Sequence, residues 1–208
     1  MSGRTKMVGA VFLVFGIFWW PTVGTAGPVT FWTTSFDEEG EGFPPEATAS
    51  GNWSVITSAQ AAHSGSRGLD ITGPTATGGD VLTFDLSSVG FTAIGLDYWT
   101  KIRAGLEADD SVLIEWSPDA GVTWFVLDTR TDVLAGDWVF SSFVLPVEAN
   151  NNSNLMLRLD AELGSTGDRF GADDFALMGT PIPEPASFAM LAFGSVVGFH
   201  RRLRRHFS

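Results

Sequence analysis

The chain contains no cysteine and is poor in three other kinds of residue that carry chemistry. Its 208 residues include one tyrosine, three histidines and twelve lysines and arginines, against 24 aspartates and glutamates. The absence of cysteine excludes a disulfide scaffold, a zinc–thiolate site, an iron–sulfur cluster and a cysteine nucleophile. The formal net charge of −12 argues against nucleic acid as a partner, because affinity for phosphate backbones comes mostly from lysine and arginine.

Long hydrophobic runs occur at both ends, and the first has the order of a secretory signal peptide. Arg4 and Lys6 precede an apolar run at 7–20, and small residues follow at 24–26. We predict a signal peptide over 1–26 that is cleaved after its last alanine and directs the chain to the Sec export machinery. The run is short for a bilayer crossing. The alternatives are a buried N-terminal helix or a retained anchor.

The C-terminal end combines a short motif, an apolar segment and a basic tail. Pro183, Glu184 and Pro185 precede the segment 186–199, which has no charged residue. Four arginines follow, at Arg201, Arg202, Arg204 and Arg205. Such a basic cluster marks the cytoplasmic side of a membrane segment. The arrangement resembles the PEP-CTERM sorting signal, which exosortases recognise in Gram-negative bacteria that make extracellular polysaccharide.

The resemblance implies a sorting signal over 180–208. Its Pro-Glu-Pro would be the recognition element, 186–199 a transient transmembrane helix and 200–208 a cytoplasmic lock. Fourteen helical residues rise only about 21 Å, against a hydrocarbon core of roughly 30 Å. We therefore expect a weak anchor that awaits cleavage. The alternative is a basic tail that lies on the membrane surface.

The region between these ends is strongly acidic and has the length of one domain. All 24 acidic residues but only six of the twelve cations lie within 27–185, so its formal charge is −18. Such a surface suits divalent cations and repels polyanions. Short alternating or apolar runs separated by turn residues predict an all-β, two-sheet jelly-roll sandwich over 27–179. The predicted strands are 29–36, 53–57, 68–72, 80–85, 93–103, 111–117, 123–129, 138–145, 154–161 and 175–178.

One internal motif, at 117–124, reads SPDAGVTW and matches the Asp-box pattern S-x-D-x-G-x-T-W. It predicts a tight turn between two strands. Asp119 would accept backbone N–H groups, Gly121 would take a positive φ and Trp124 would pack beneath the turn. Because turn chemistry explains every residue of the motif, we interpret it as structural.

Three further segments resemble carbohydrate-binding and MAM-like sandwiches: the opening Phe-Asp-Glu at 36–38, the turn and strand at 62–71 and the closing strand at 171–177. The resemblance implies a structural Ca²⁺ held by Asp37, Glu38 and Asp173, because the first and last strands are neighbours in such folds. The alternative is a set of solvated acidic turns. Asp109 and Asp110 are predicted to form a hairpin end.

The sequence favours a protein without catalytic activity. His63, the one histidine outside the two terminal signals, lies in a turn and is expected to be solvated. Two carboxylates would suffice for a glycoside hydrolase, a remote alternative that the sequence does not locate. Trp53 and Trp138 follow turn residues and are the tryptophans predicted to be exposed enough to bind a sugar ring. Trp99, Trp116 and Trp124 are expected to fill the core.

The sequence therefore predicts an exported, exosortase-sorted protein of the cell surface or extracellular matrix of a Gram-negative bacterium. Its partners would be the Sec machinery, an exosortase, the membrane transiently and extracellular polysaccharide. The alternative is a carbohydrate-binding module with a structural calcium ion.

Overall fold

The computed structural model describes residues 26–37, 42–76, 78–131 and 136–183. The predicted signal helix and the predicted membrane helix at 186–199 lie outside these residues. Within the four described ranges, no helix has the length and hydropathy that a membrane crossing requires. The described chain instead forms β-strands and a short 3-10 turn at Val147–Ala149.

Eleven strands form the described fold. They are β1 (Val29–Thr34), β2 (Ala47–Ala49), β3 (Ser54–Thr57), β4 (Arg67–Thr72), β5 (Asp80–Leu86), β6 (Phe91–Ala104), β7 (Ser111–Ser117), β8 (Phe125–Arg130), β9 (Val139–Val144), β10 (Leu155–Glu162) and β11 (Arg169–Pro181). The first sheet has the order β3-β4-β11-β6-β9, with β1 also paired to β11. The second sheet has the order β2-β5-β10-β7-β8. The predicted all-β architecture of two antiparallel sheets is confirmed.

The core lies between the sheets and follows from the two-residue period of the strands. On β10, Leu155, Leu157 and Leu159 are buried while Arg158 and Asp160 alternate with them and face outward. β6 shows the same alternation over most of its fourteen residues. Because successive side chains of a strand point to opposite faces, this pattern specifies which face of each sheet packs inward.

Both ends of the described chain leave the sandwich at one end. Val29 on β1 pairs with Gly179 on β11, as expected for neighbouring first and last strands, and Pro181 pairs with Phe91. The turns at 87–90, 118–124 and 145–154 lie at this end, which we call the exit end. The turns at 105–110 and 163–168, together with the start of β9, form the opposite end. β6 joins the two ends and spans roughly 40 Å at about 3.3 Å per residue.

The Asp box forms the predicted turn between β7 and β8. The Thr123 N–H donates to Asp119 Oδ1 at 2.8 Å, and Gly121 has a φ of +83°. Trp124 packs against Gly121 and lies 4.3 Å beneath the Arg158 guanidinium. The structural interpretation of the motif is therefore confirmed.

Two features of the sheets differ from the predictions. β2 was not predicted, because its three residues are too few to show a periodic pattern. β11 is thirteen residues long, whereas its apolar run predicts a strand over 175–178 and the resemblance a strand over 171–177. The apolar run is shorter because the first half of β11 contains Gly171 and acidic residues, which lack a strand-like composition. That first half pairs with both β4 and β6, so its neighbours determine its conformation.

Candidate functional site

A loop at 58–66 lies over the outer face of the first sheet and is held there by aspartates. Asp37 Oδ1 accepts the backbone N–H groups of Ser66 at 2.9 Å and Arg67 at 3.1 Å. Gly65 leaves room for this carboxylate, since a Cβ at that position would lie 1.6 Å from Asp37 Oδ2. Asp37 therefore fixes the end of the loop that enters β4.

The middle of the loop is held by two consecutive aspartates of β11. Asp173 Oδ2 accepts the N–H groups of His63 at 2.7 Å and Ser64 at 3.2 Å. Asp174 has a φ of +51° at a register shift in the pairing of β11 with β6. Bulges of this kind re-aim a side chain. The Asp174 carboxylate reaches His63 Nδ1 at 2.7 Å and the Ser64 hydroxyl at 2.5 Å.

The protonation of Asp173 depends on its surroundings. Burial and the charge of Asp174 together raise the pKa of Asp173 to about 7, although the N–H donor of His63 favours the carboxylate. Burial away from water disfavours the ionised form of a carboxyl group relative to its protonated form. Asp173, which holds the loop, therefore changes its protonation state near neutral pH.

The loop completes an aromatic surface that consists of His63, Trp99, Trp138 and Phe140. The His63 ring stacks on Trp99 at 3.8 Å between centroids, with 14° between the planes. Trp138 meets the edge of His63 at 5.5 Å, and Phe140 lies 5.2 Å from Trp99. Lys101 places Nζ 5.9 Å from the centre of the Trp138 ring. The surface thus combines partly exposed rings with one cation.

A cleft of about 200 Å³ adjoins this aromatic surface. It is lined by the end of β8, the start of β9 and neighbouring residues of β6, including Trp138, Arg130 and Asp137. A second groove, of about 500 Å³, runs between the edge strands β8 and β9 closer to the exit end, and is lined mainly by apolar residues such as Phe125 and Val144. The first cleft offers both aromatic and charged groups to a ligand, whereas the second is largely apolar.

The structure corrects the sequence interpretation of three aromatic or histidine residues. Trp53 was expected to be exposed, but it is only 5% exposed and its indole N–H donates to the Asp80 carbonyl inside the core. Its ring faces are not available to a ligand. Trp99 was expected in the core, but its neighbours Tyr98 and Thr100 point inward and Trp99 therefore faces out. His63 is not simply solvated, because Trp99 and Asp174 hold it in place.

The calcium site predicted from Asp37, Glu38 and Asp173 remains a prediction. Glu38 lies outside the described residues. Asp37 and Asp173 both bind the same short stretch of loop, at residues 63–67, and their oxygens accept N–H donors there. Backbone N–H groups of this stretch therefore stabilise both carboxylates.

A different acidic group converges at the opposite end. Oxygens of Glu107, Asp110 and Asp168 lie within 4.8 Å of one another and could bind a metal ion. Asp110 and Asp168 are buried, whereas Glu107 is exposed. The N–H groups of Glu107 and Gly164 donate to Asp110 at 2.8 and 2.6 Å, which ties the two turns together. The sequence missed this group, since it predicted Asp110 only as part of a hairpin end.

The surroundings of these carboxyl groups shift their pKa values in opposite directions. Hydrogen bonds with the side chains of Asp168 and Asp110 raise the pKa of Glu107 to about 7. Burial alone would raise the pKa of Asp110, but the N–H donors from Glu107 and Gly164 outweigh it and lower the pKa. Near neutral pH the group therefore exchanges a proton at its exposed member, Glu107, while Asp110 stays ionised.

The predicted sorting residues fall at the edge of the described chain. Pro183 is exposed just beyond β11. Glu184, Pro185 and the four arginines at 201, 202, 204 and 205 lie outside the described residues. The Ile182 N–H donates to the Gly90 carbonyl at 2.7 Å, so the fold holds the chain up to the residue before the predicted motif.

Comparison with known families identifies this C-terminal segment. Residues 181–205 match the PEP-CTERM protein-sorting motif. The chain carries a PEP-CTERM sorting signal. The resemblance inferred from Pro183, Glu184, Pro185 and the arginine tail is confirmed. No curated protein sequence matches the chain.

Solved structures with the same fold include adhesin domains and a carbohydrate-binding module. The K1 cleaved adhesin domain of Lys-gingipain from Porphyromonas gingivalis W83 has a TM-score of 0.55 and 13% identity, and the match covers 72% of this chain and 97% of that domain. The K2 domain of Lys-gingipain has a TM-score of 0.53 and 16% identity, over 70% and 96%. The CBM22-1 and GH10 modules of a Clostridium thermocellum endo-1,4-beta-D-xylanase, complexed with xylohexaose, have a TM-score of 0.51 and 15% identity, over 74% and 29%. The TM-scores establish a shared β-sandwich fold, and at identities this low the similarity extends to the fold alone.

Proposed function

We propose that this chain is an exported protein that an exosortase sorts to the surface or extracellular matrix of a Gram-negative bacterium. The observation that carries the proposal is the PEP-CTERM motif at 181–205, which begins at the last residue of β11. The signal peptide over 1–26 would bring the chain to the Sec machinery. The jelly-roll domain over 27–179 would then be the exported part, and 180–208 the sorting signal that is removed.

Within the sorting signal, each part has a separate task. Pro183, Glu184 and Pro185 would present the recognition element to the exosortase. The segment 186–199 would hold the precursor in the inner membrane, and the arginine tail would stay on the cytoplasmic side. Because the apolar segment is short, it should anchor the precursor only weakly by itself. The free-energy cost of moving the charged tail across the bilayer should therefore contribute much of the retention of the precursor.

We also propose that the exported domain has no catalytic activity. His63, its one histidine, is stacked on Trp99 and hydrogen-bonded to Asp174, and the neighbouring Ser64 hydroxyl donates to the same carboxylate rather than to the imidazole that would have to activate it. Tyr98, its one tyrosine, is buried in the core and donates to Asp128, and burial raises the pKa of its hydroxyl. The fold shared with adhesin domains and a carbohydrate-binding module agrees with a binding or structural role.

The sorting proposal is tested in the native host by changing the tail. Replacement of Arg201, Arg202, Arg204 and Arg205 by Ser should release precursor from the membrane before it is processed. Replacement of the same four residues by Lys keeps the charge and should preserve retention. Intact mass spectrometry of the exported protein would locate both cleavage sites. Membrane-bound, normally processed protein from the Ser variant would contradict the proposed role of the tail.

A second candidate function, carbohydrate binding, is favoured by the aromatic surface. Phe140 is about half exposed, and Trp138 borders the 200 Å³ cleft beside charged Arg130 and Asp137. Sugar rings stack on flat aromatic faces and take hydrogen bonds from polar groups nearby. We propose extracellular polysaccharide as the ligand class and Trp138 as the main contact. Trp53 has no part in this proposal.

The carbohydrate candidate is tested by affinity electrophoresis against exopolysaccharide from the host. Trp138→Ala and Phe140→Ala should each weaken retardation of the protein by the polysaccharide. Phe125→Ala is the matched control, because Phe125 is similarly exposed but lies on β8 outside the aromatic surface. Retardation that survives both changes would remove this site, and its complete absence in the unaltered protein would leave the structural role alone.

We propose that the opposite end binds a calcium ion. Ca²⁺ takes six to eight oxygen ligands and tolerates irregular geometry, which suits three carboxylates of which one is exposed to water. Glu107, Asp110 and Asp168 are the described residues whose oxygens converge in this way. The ion would link the turns at 105–110 and 163–168 and have a structural role.

A further inference from the structure

Most of the large hydrophobic side chains that are exposed in the described chain lie at the exit end. Ten large hydrophobic side chains are exposed among the described residues, and two of them, Val139 and Phe140, belong to β9 near the opposite end. The other eight lie on the turns or strand ends of the exit end. Val122 and Val144 are 83% and 82% exposed, and Val147 is 72% exposed. Isolated exposed valines are ordinary, but such a concentration at one end is not.

The turns that carry these valines are joined by hydrogen bonds into one platform. The Ser88 N–H donates to the Asn152 carbonyl at 2.8 Å, next to Val89. The Asn152 side chain donates to the carbonyls of Pro118 and Glu148, each at 2.8 Å. These bonds tie the turns at 87–90, 118–124 and 145–154 to one another. The valines are therefore held at fixed positions on one rigid surface.

The chain leaves this platform very close to its predicted membrane segment. Ile182 is bonded to Gly90 within the platform, and only residues 183–185 separate it from the segment 186–199. Four residue steps span at most about 14 Å even when fully extended. The exit end must therefore lie within about 14 Å of the point at which that segment enters the bilayer.

The charges of the molecule favour the same orientation. The three turns of the exit end contain two acidic residues, Asp119 and Glu148. The two turns of the opposite end contain four, at Glu107, Asp109, Asp110 and Asp168. Acidic side chains stay hydrated, whereas exposed valines gain free energy on leaving water. Contact with a lipid interface is therefore more favourable in free energy for the exit end than for the opposite end.

We propose that the exit end is a membrane-docking surface, and that its partner is the lipid bilayer that anchors the precursor. Val122 and Val147 enter the interfacial region of the bilayer, and the aromatic surface and the acidic opposite end point away from it. This inference rests on the proposed function, because it requires the segment 186–199 to be in the membrane. It adds to that function a fixed orientation of the folded domain before cleavage.

The absence of cysteine allows a direct test with single labels. Full-length precursor carrying Val122→Cys or Val147→Cys is labelled with an environment-sensitive fluorophore and reconstituted into vesicles of phosphatidylethanolamine and phosphatidylglycerol. Ala108→Cys, an exposed position at the opposite end, is the matched control. Quenching by a lipid-borne nitroxide should be at least about threefold stronger at 122 and 147 than at 108, because docked apolar side chains reach the headgroup–acyl boundary.

Flotation of the vesicles separates failure of this inference from failure of the proposed function. If the precursor does not float with the vesicles, the membrane anchor is wrong and the inference is overturned with it. If the precursor floats but all three labels are equally exposed to water, the inference alone is overturned. Labels at 122 and 147 that lose water without lipid quenching would indicate a protein partner and would also overturn it.

Discussion

The two ends of the sandwich differ in the side chains that join their turns and in those that they expose to solvent. The turns of the exit end are joined by the side chain of Asn152, which donates to two backbone carbonyls, and this end exposes valines. The opposite end is closed by buried carboxylates that bond to backbone N–H groups, and it exposes acidic residues. Neutral amides do not change with pH or cations, whereas carboxylates do. The comparison indicates that the end next to the predicted membrane anchor is insensitive to pH near neutrality, whereas the end away from it responds to pH in that range.

The largest effect should come from the centre of the exit end. Asn152→Ala removes the bonds to Pro118 and Glu148 and the one that Asn152 Oδ1 accepts from the Asn154 N–H at 2.7 Å. Net contributions near 1 kcal/mol for each bond predict a loss of about 2–3 kcal/mol in the free energy of unfolding. Urea denaturation of the exported domain measures it.

Asn150→Ala is the matched control for this change. Asn150 lies in the same turn, and its side-chain oxygen has no hydrogen-bond partner in the described residues. Its replacement should change the free energy of unfolding by less than about 0.5 kcal/mol. Equal losses for the two variants would mean that the platform does not depend on the bonds of Asn152.

Local chemistry made much of the fold predictable from sequence. The strict alternation of apolar and polar residues predicts β10. The Asp box predicts the turn between β7 and β8, because the hydrogen-bond partners of Asp119 lie within four residues of it in the sequence. The sites depend on distant contacts. His63 meets Asp174 across 111 residues, and Asp110 meets Gly164 across 54. Trp53 illustrates the same limit, because only the position of Asp80 shows that its indole N–H has a partner in the core.

The next effect concerns pH, and Glu107 at the opposite end and Asp119 at the exit end should contribute to it with opposite signs. The raised pKa of Glu107, about 7, means that the folded protein holds a proton that the unfolded chain has lost above pH 4.5. Stability from this group is therefore lost as pH rises from about 4.5 to 7. At the exit end, hydrogen bonds from the Thr123 N–H and the Ser117 hydroxyl lower the pKa of Asp119. Its contribution is lost as pH falls below about 4.

Urea midpoints between pH 2 and 8 would distinguish these two contributions. Glu107→Gln should flatten the decline above pH 4.5, and Asp119→Asn should flatten the decline in acid. Asp173 also has a raised pKa, so Asp173→Asn should remove a further part of the decline at higher pH. If Glu107→Gln left the decline above pH 4.5 unchanged, the raised pKa of Glu107 would be contradicted.

The smallest expected effect is that of calcium on the opposite end. Extracellular calcium modules bind with dissociation constants of about 0.1–1 mM, so 1 mM Ca²⁺ should stabilise the folded domain by roughly 0.4–1.4 kcal/mol. Thermal unfolding in calcium and in EDTA measures this difference. Asp168→Asn should abolish it if Glu107, Asp110 and Asp168 hold the ion.

Asp37→Asn decides between the two acidic regions that could bind calcium. Asp37 holds the loop at 58–66 near Asp173, so its replacement lowers stability in calcium and in EDTA alike if backbone N–H groups are its partners. The calcium-dependent difference should then survive. Loss of that difference in Asp37→Asn, with its retention in Asp168→Asn, would place the ion beside the first and last strands, as the sequence predicts. The opposite end would then owe its closure to hydrogen bonds alone, since a carboxylate that already accepts two N–H donors needs no cation to remain buried.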